Sequence, residues 1–358
     1  MSFNLSSKSR VVGLDYLRVS LALLIFLFHS HIHVLKCDYG IMNGFINMGS
    51  IAMTGFFLLS GYSLNLTNYT LHDADGIYKF YLKRLISILP LYYVYAIISV
   101  AQNIFLGGLD AFCKECVLFP IESLGIQSVF STLFPYSHNG GSWFISCILI
   151  CYFLYPLIQI LTRKLSDKNR LIIIFVIGLI LIYSPYVQSY FNLQKLYSNP
   201  FFRLMEFTIG ILVCQMNLNE NTDISLIKIL RKPYFFYLTT IIFLVGVGYL
   251  HNFGISRDSF VVNCITLPCF ISLLVSLGYI KFKPSKALLY FSSISFAFFL
   301  SQLKLVWYGV GFVLDKVLCQ SNLIRIILSF LVCFAIANFM HFCIELPSAR
   351  YLKNKFLK

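Results

Sequence analysis

The sequence predicts an all-α, polytopic integral membrane helical bundle of about ten transmembrane helices, with both termini in the cytoplasm. Three observations predict it. Of 358 residues, 58% are hydrophobic and 12% charged, with a mean hydropathy of +0.79, whereas a soluble domain carries about 25% charged residues. Apolar runs approaching the ~20 residues that cross a ~30 Å hydrocarbon core recur along the chain. Lys and Arg concentrate in alternate connections between those runs, as expected of cytoplasmic loops.

The first span, 13–34, reads as a retained helix rather than a cleaved signal. Its run is longer than a signal's apolar region, it contains Asp15 and Arg18, and no small-x-small site follows His33. The second, 44–66, ends on Phe56-Phe57-Leu58-Leu59-Ser60-Gly61-Tyr62, where Gly61 permits close helix approach. The third, 85–106, opens behind Lys83 and Arg84 and carries Pro90. Spans 142–161 and 171–191 follow, then the two short ones, 201–216 and 235–251, and finally 260–280, 287–311 and 323–344. The longest connection is 107–141, in which Val117–Pro120 and Val129–Pro135 are apolar enough to lie on or dip into the membrane. A single membrane domain, 1–358, accounts for the chain, with no appended soluble domain or low-complexity tract.

Orientation follows from the cations. One set of alternate connections and ends holds 19 Lys and Arg, the other 7, and Arg18 and Lys304 lie within spans. Acidic residues show no such bias. An even span number with both ends inside fits this count. The formal charge of +14 therefore reports topology, and the partner it implies is the lipid bilayer, not nucleic acid. The 11 cysteines are scattered. Only Cys113 and Cys116 form a C-x-x-C pair, a poor zinc signal without a second half. No metal is expected, and a disulfide between the two is the sharper alternative to an incidental role.

Ionisable residues in apolar spans cost about 2.5–3.5 kcal/mol each at a helix centre, so they normally face a cavity or a partner. The first span has Asp15, Arg18, His29, His31 and His33. Asp15 and Arg18 stand at i,i+3, close enough to pair. Arg18 and His29 are eleven residues apart, within about 20° of three full turns, and are separated by about 16 Å along the axis. They share one stripe, with Arg18 toward the cytoplasm and His29 toward the outside. The plainer reading has Arg18 reaching for lipid phosphates and the histidines lying at the outer interface. His31 and His33 fit that description, and Arg203–Glu206, at i,i+3, and Glu345 fit packing and topology.

Taken together, these residues resemble acyltransferase family 3, the integral membrane O-acyltransferases of bacterial surface polysaccharides. Gly13 to Arg18 followed by His29 is similar to the family's first helix and its Arg-x10-His motif. Phe56–Tyr62, Phe80–Pro90, Ser142–Ile145 with Tyr152–Pro156, Arg203–Gly210, Ser295–Leu300 and Ile344–Pro347 resemble its later segments in order. The chain departs from the pattern at three places. Ser87 stands where a second basic residue is common, Gln302 where a histidine is common, and the helix of Trp143 has Ile148 and Leu149 in place of a glutamate.

The resemblance implies a multi-pass protein of the bacterial cell (inner) membrane. It implies transfer of an acyl group, usually acetyl from acetyl-CoA, to a hydroxyl of a surface polysaccharide or its lipid-linked sugar precursor. The implied catalytic residues are His29, Arg18 and Asp15. His29 would act as the base that activates a sugar hydroxyl, and Asp15 and Arg18 would hold the helix and its cavity in shape. Arg84, Lys83, Trp143 and Ser60 are the implied donor-binding residues, the cations meeting the phosphates of CoA. Direct transfer and a covalent acetyl-histidine remain open alternatives. The rival class is a transporter or flippase of a glycolipid or small anion, against which stands the absence of a visible internal repeat.

Overall fold

The computed structural model describes residues 10–33, 36–67, 71, 73–130, 141–193, 196–256, 258–310, 313 and 321–357, apart from the side chains of 303, 304, 308 and 310. Among the described residues there are thirteen α-helices and no strand. They are α1 (Val12–Ile32), α2 (Asn43–Asn47), α3 (Ala52–Thr67), α4 (Ala74–Ser123), α5 (Ser142–Arg163), α6 (Asp167–Tyr190) and α7 (Pro200–Leu218). Next come α8 (Ser225–Leu230), α9 (Pro233–Asn252), α10 (Phe260–Tyr279), α11 (Lys286–Ser301), α12 (Asn322–Met340) and α13 (Leu346–Phe356). Polar residues stop the apolar runs. Asp73, Ser166, Asn199 and Ser259 each accept a backbone N–H at the start of α4, α6, α7 and α10, satisfying donors that a helix end otherwise leaves open.

Among the described residues eight helices are long and apolar enough to cross a membrane, or nine if a bent pair counts as one span. That pair lies where the second span is expected: Gly40–Asn47 meets Gly49–Thr67 at 43°. The ninth expected span, 287–311, differs in kind. Its α-helical part, α11, is only 16 residues long, and the chain runs on as a π-helix over Gln302–Val310. A second π segment, His341–Glu345, joins α12 to α13.

The region expected as a third span and a long connection is instead a helical hairpin. Helix α4 turns at Gly108, whose φ of 60° and ψ of −143° suit glycine alone. The segment after it returns along the first, with Asn103 donating to Glu115 at 2.7 Å and the Tyr92 and Tyr93 hydroxyls donating to the carbonyls of Glu122 and Ser123. Val117 and Phe119, expected at the membrane, are exposed on this return arm. Val129 and Phe130 are exposed as well, and the rest of that stretch, 131–135, lies outside the described residues. Cys113 and Cys116 are both free thiols on the return arm, so the alternative of a disulfide between them is not what the structure contains.

Small residues set the closest helix contacts. A Cβ on Gly61 would lie 2.0 Å from the carbonyl oxygen of Phe207, and one on Gly210 would lie 2.0 Å from that of Leu58. Helices α3 and α7 therefore cross backbone to backbone, each through a glycine. Gly13 does the same for α1 against the Leu277 carbonyl of α10. The outer helices α6 and α9 expose Ile172, Phe175, Val176, Ile241, Ile242 and Val245. A bundle that keeps its polar groups inside and turns such residues outward is suited to lipid.

Candidate active site

Helix α1 runs through the middle of the site, packed against α3, α10 and α11. Near its start Asp15 is 3% exposed. Its carboxylate accepts two bonds from Arg10 (2.6 and 2.9 Å), one from Arg18 (3.2 Å) and one from the Ser292 hydroxyl on α11 (2.6 Å). The hydrogen bonds to Asp15 hold the Arg10 guanidinium above its already high ordinary value. Arg18 also donates to Ser292 at 3.2 Å. Asp15 thus orients two arginines and ties α1 to α11.

Arg18 keeps 34% of its side chain accessible, although the residues on either side of it along the α1 stripe, Leu14 and Ala22, are buried. The phenol of Tyr152 on α5 lies within electrostatic range of both Arg18 and Arg84. The Arg84 guanidinium lies 5.8 Å from the Tyr152 ring and 5.8 Å from the Phe80 ring. Its Nε is buried without a hydrogen-bond partner among the described residues. Arg10 and Arg18 thus gather at the Asp15 carboxylate and Arg84 stands against the Tyr152 ring, an excess of positive charge suited to a polyanion. Lys83, one residue earlier, is exposed. Ser60 is half-buried on α3 beside the Gly61 crossing.

Trp143 does not join these cations. It begins α5, nine residues before Tyr152, or about 13 Å along the axis. There it packs 4.9 Å from the Tyr197 ring and 5.5 Å from the Arg203 guanidinium. Arg203 is also 4.8 Å from Tyr197 and 5.4 Å from Phe57, and bonds both Glu206 oxygens at 2.8 and 2.7 Å. The Arg203–Glu206 pair, read from its spacing as a packing feature, is a buried ion pair inside an aromatic cage.

His29 lies at the far end of the α1 stripe. Its Nδ1 is 2.9 Å from Oε1 of Gln302, the first residue of the π-helix, and its ring is 5.4 Å from that of His33. His31 turns elsewhere, its Nδ1 2.8 Å from the Cys37 carbonyl. Between Arg18 and His29 on the stripe stand Ala22 and Ile25, 0% and 1% exposed. The stripe expected from the 11-residue spacing meets α11 at one end, through Ser292, and the π segment that follows it at the other, through Gln302, with apolar packing between. Among the described residues no group of three His, Cys, Asp or Glu side chains is placed to hold a metal ion.

Arg10, Ser292 and Tyr152 adjoin Asp15, Arg18 and Arg84 and are residues that sequence reasoning did not single out. The signals available for them were weak: an arginine just outside a span, a serine among several on α11, and a tyrosine inside an apolar run.

The family described as acyltransferase domain matches residues 11–341. No curated protein and no solved structure matches the chain. The match runs from the residue before α1 to the start of the second π segment and takes in Asp15, Arg18, His29, Arg84, Trp143 and Gln302. On that span the chain belongs to acyltransferase family 3 and is a membrane acyltransferase.

Proposed function

We propose that this acyltransferase moves an acetyl group from cytoplasmic acetyl-CoA to a hydroxyl of a surface polysaccharide or its lipid-linked sugar precursor. The observation that carries this reading is the division of labour along α1. A cationic group built on Arg10, Arg18 and Arg84 stands at one end, and an imidazole held by the neutral amide of Gln302 stands at the other. The alternation of basic connections supports placing the cationic end, and both termini, in the cytoplasm of a bacterial inner membrane. Acetyl-CoA is cytoplasmic and multiply charged, so its phosphates meet Arg18 and Arg84 there while the thioester is carried inward on the thin pantetheine arm.

With Nδ1–H donated to Gln302, the free lone pair of His29 is on Nε2. That nitrogen takes the proton of the sugar hydroxyl as its oxygen attacks the thioester carbonyl carbon. The C–S bond then breaks, the acetyl group stays on the sugar oxygen, and the imidazolium returns its proton to the departing CoA thiolate. Donor binding falls to Arg18 and Arg84, with Asp15 orienting Arg18. Lys83, exposed on the neighbouring face, supplies longer-range attraction, and Ser60 and Trp143 act at a distance from the phosphates.

The test is purified protein in lipid nanodiscs with labelled acetyl-CoA and sugar acceptor. Acetyl transfer and CoA release are expected, both lost in His29→Ala while membrane insertion is kept. Substrate flux across a membrane without CoA release would favour a transporter instead, and an inserted, fully active His29→Ala would remove the histidine from the mechanism.

A further inference from the structure

We propose that Gln302 is the positioning residue for His29, a neutral amide that selects the imidazole tautomer without adding a charge. This rests on the reading of His29 as the base. Gln302 is 0% exposed, and its Oε1 faces His29 Nδ1 at 2.9 Å. A ring nitrogen that donates to a fixed oxygen carries its proton there, which leaves Nε2 unprotonated and aimed away from the amide. The other half of the amide, Nε2 of Gln302, is buried with no hydrogen-bond partner among the described residues. Burying a polar group half-satisfied is costly, and a group kept at that cost in a core calls for a function that packing does not supply.

The surrounding backbone points the same way. α-Helical hydrogen bonding ends at Ser301, and the wider π winding begins at Gln302; π segments recur at functional sites. Ser301 is tied down by Tyr95 of α4, hydroxyl to hydroxyl at 2.7 Å, and by its own bond to the Ala297 carbonyl at 2.6 Å. The junction that presents Gln302 is thus anchored to α4.

Among the described residues Gln302 is the only side chain hydrogen-bonded to His29. The titratable group acting on the imidazole from the described residues is His33, on the same helix. The elements packed against α1 are α2, α3, α10, α11, the turn at 49–51 and the π segment. None of them carries an Asp or Glu. Their one basic side chain near this end is Lys304, which lies outside the described side chains; Lys286 of α11 is at the opposite end. A carboxylate in the place of Gln302 would stabilise the imidazolium and hold its proton. An amide fixes the ring and lets the proton pass on.

The experiment measures acetyl transfer against pH for wild type, Gln302→Leu, Gln302→Glu and His29→Ala in nanodiscs. Gln302→Leu should lower kcat on the order of 100-fold, the low end of what a general base contributes, with KM for acetyl-CoA unchanged. Gln302→Glu keeps an acceptor oxygen and adds a charge. It should retain activity but move the acid limb of the profile upward by about 1–3 pH units, because the base then frees itself of its proton only at higher pH. A packing role would leave that limb where it is. Where Leu or Glu prevents folding, Gln302→His, whose ring nitrogen can accept the same N–H, should restore kcat, and a loss in that folded variant overturns the assignment. Wild-type rates and an unmoved limb in both Gln302 variants, with His29→Ala inactive, overturn the role of Gln302 alone. Activity in His29→Ala overturns the reading of His29 beneath it.

Discussion

Replacing Glu206 with alanine removes one half of a buried ion pair and leaves the other half where it is. The Arg203 and Glu206 side chains are 6% and 9% accessible, and the guanidinium meets both carboxylate oxygens within 2.8 Å. Breaking a buried pair by deleting one partner costs about 3–5 kcal/mol, mainly through the charge left uncompensated. Arg203 would keep the Tyr197 carbonyl at 2.8 Å, the Thr54 hydroxyl at 3.2 Å and three aromatic faces at 4.8–5.5 Å. Those contacts hold the cost to the lower end, about 3 kcal/mol. The Thr54 hydroxyl, which donates to Glu206 at 2.8 Å, also loses its acceptor. Equilibrium unfolding in mixed micelles measures the loss directly. The double variant Arg203→Met with Glu206→Leu should be more stable than Glu206→Ala, since apolar residues commonly replace a buried pair at little cost. A loss below about 1 kcal/mol for Glu206→Ala, or a double variant less stable than the single one, would refute the account of this pair as buried and interdependent.

Two further outcomes follow from the geometry. Gly61→Ala and Gly210→Ala should each destabilise by more than the ~1–3 kcal/mol of ordinary overpacking, because the added methyl meets a backbone carbonyl at 2.0 Å and not a movable side chain; thermal unfolding in detergent reads it, and a neutral Gly61→Ala would mean the helices part freely. Arg84→Ala should raise KM for acetyl-CoA about tenfold, the worth of one charge-assisted contact, whereas Lys83→Ala should change it less than twofold; equal effects would place the two cations together after all.

Much of the architecture was legible in local pattern. Hydropathy located the helices because crossing a bilayer is a demand on each segment separately. The pairs Asp15–Arg18 and Arg203–Glu206 were legible because i,i+3 neighbours meet on any helix. The shared face of Arg18 and His29 followed from the helical repeat alone. The hairpin at Gly108 was missed, since an apolar run looks the same whether it continues straight or folds back. Lys83 and Arg84, adjacent in sequence, were read as one cluster, but helix rotation sends neighbours about 100° apart, and only packing chooses which of them faces inward.

What the sequence determined by itself was therefore the class of the protein, the positions of its apolar helices and the residues that share a face on α1. The tertiary structure decided what those faces meet. Gln302 reaches His29 across 273 residues of chain, Ser292 reaches Asp15 across 277, and Trp143 joins Arg203 instead of Arg18 and Arg84. The reason is physical: the length and polarity of each helix are properties of its own residues. Its rotation and its partner are set by where glycines let two backbones touch and by which buried polar groups must find each other out of water.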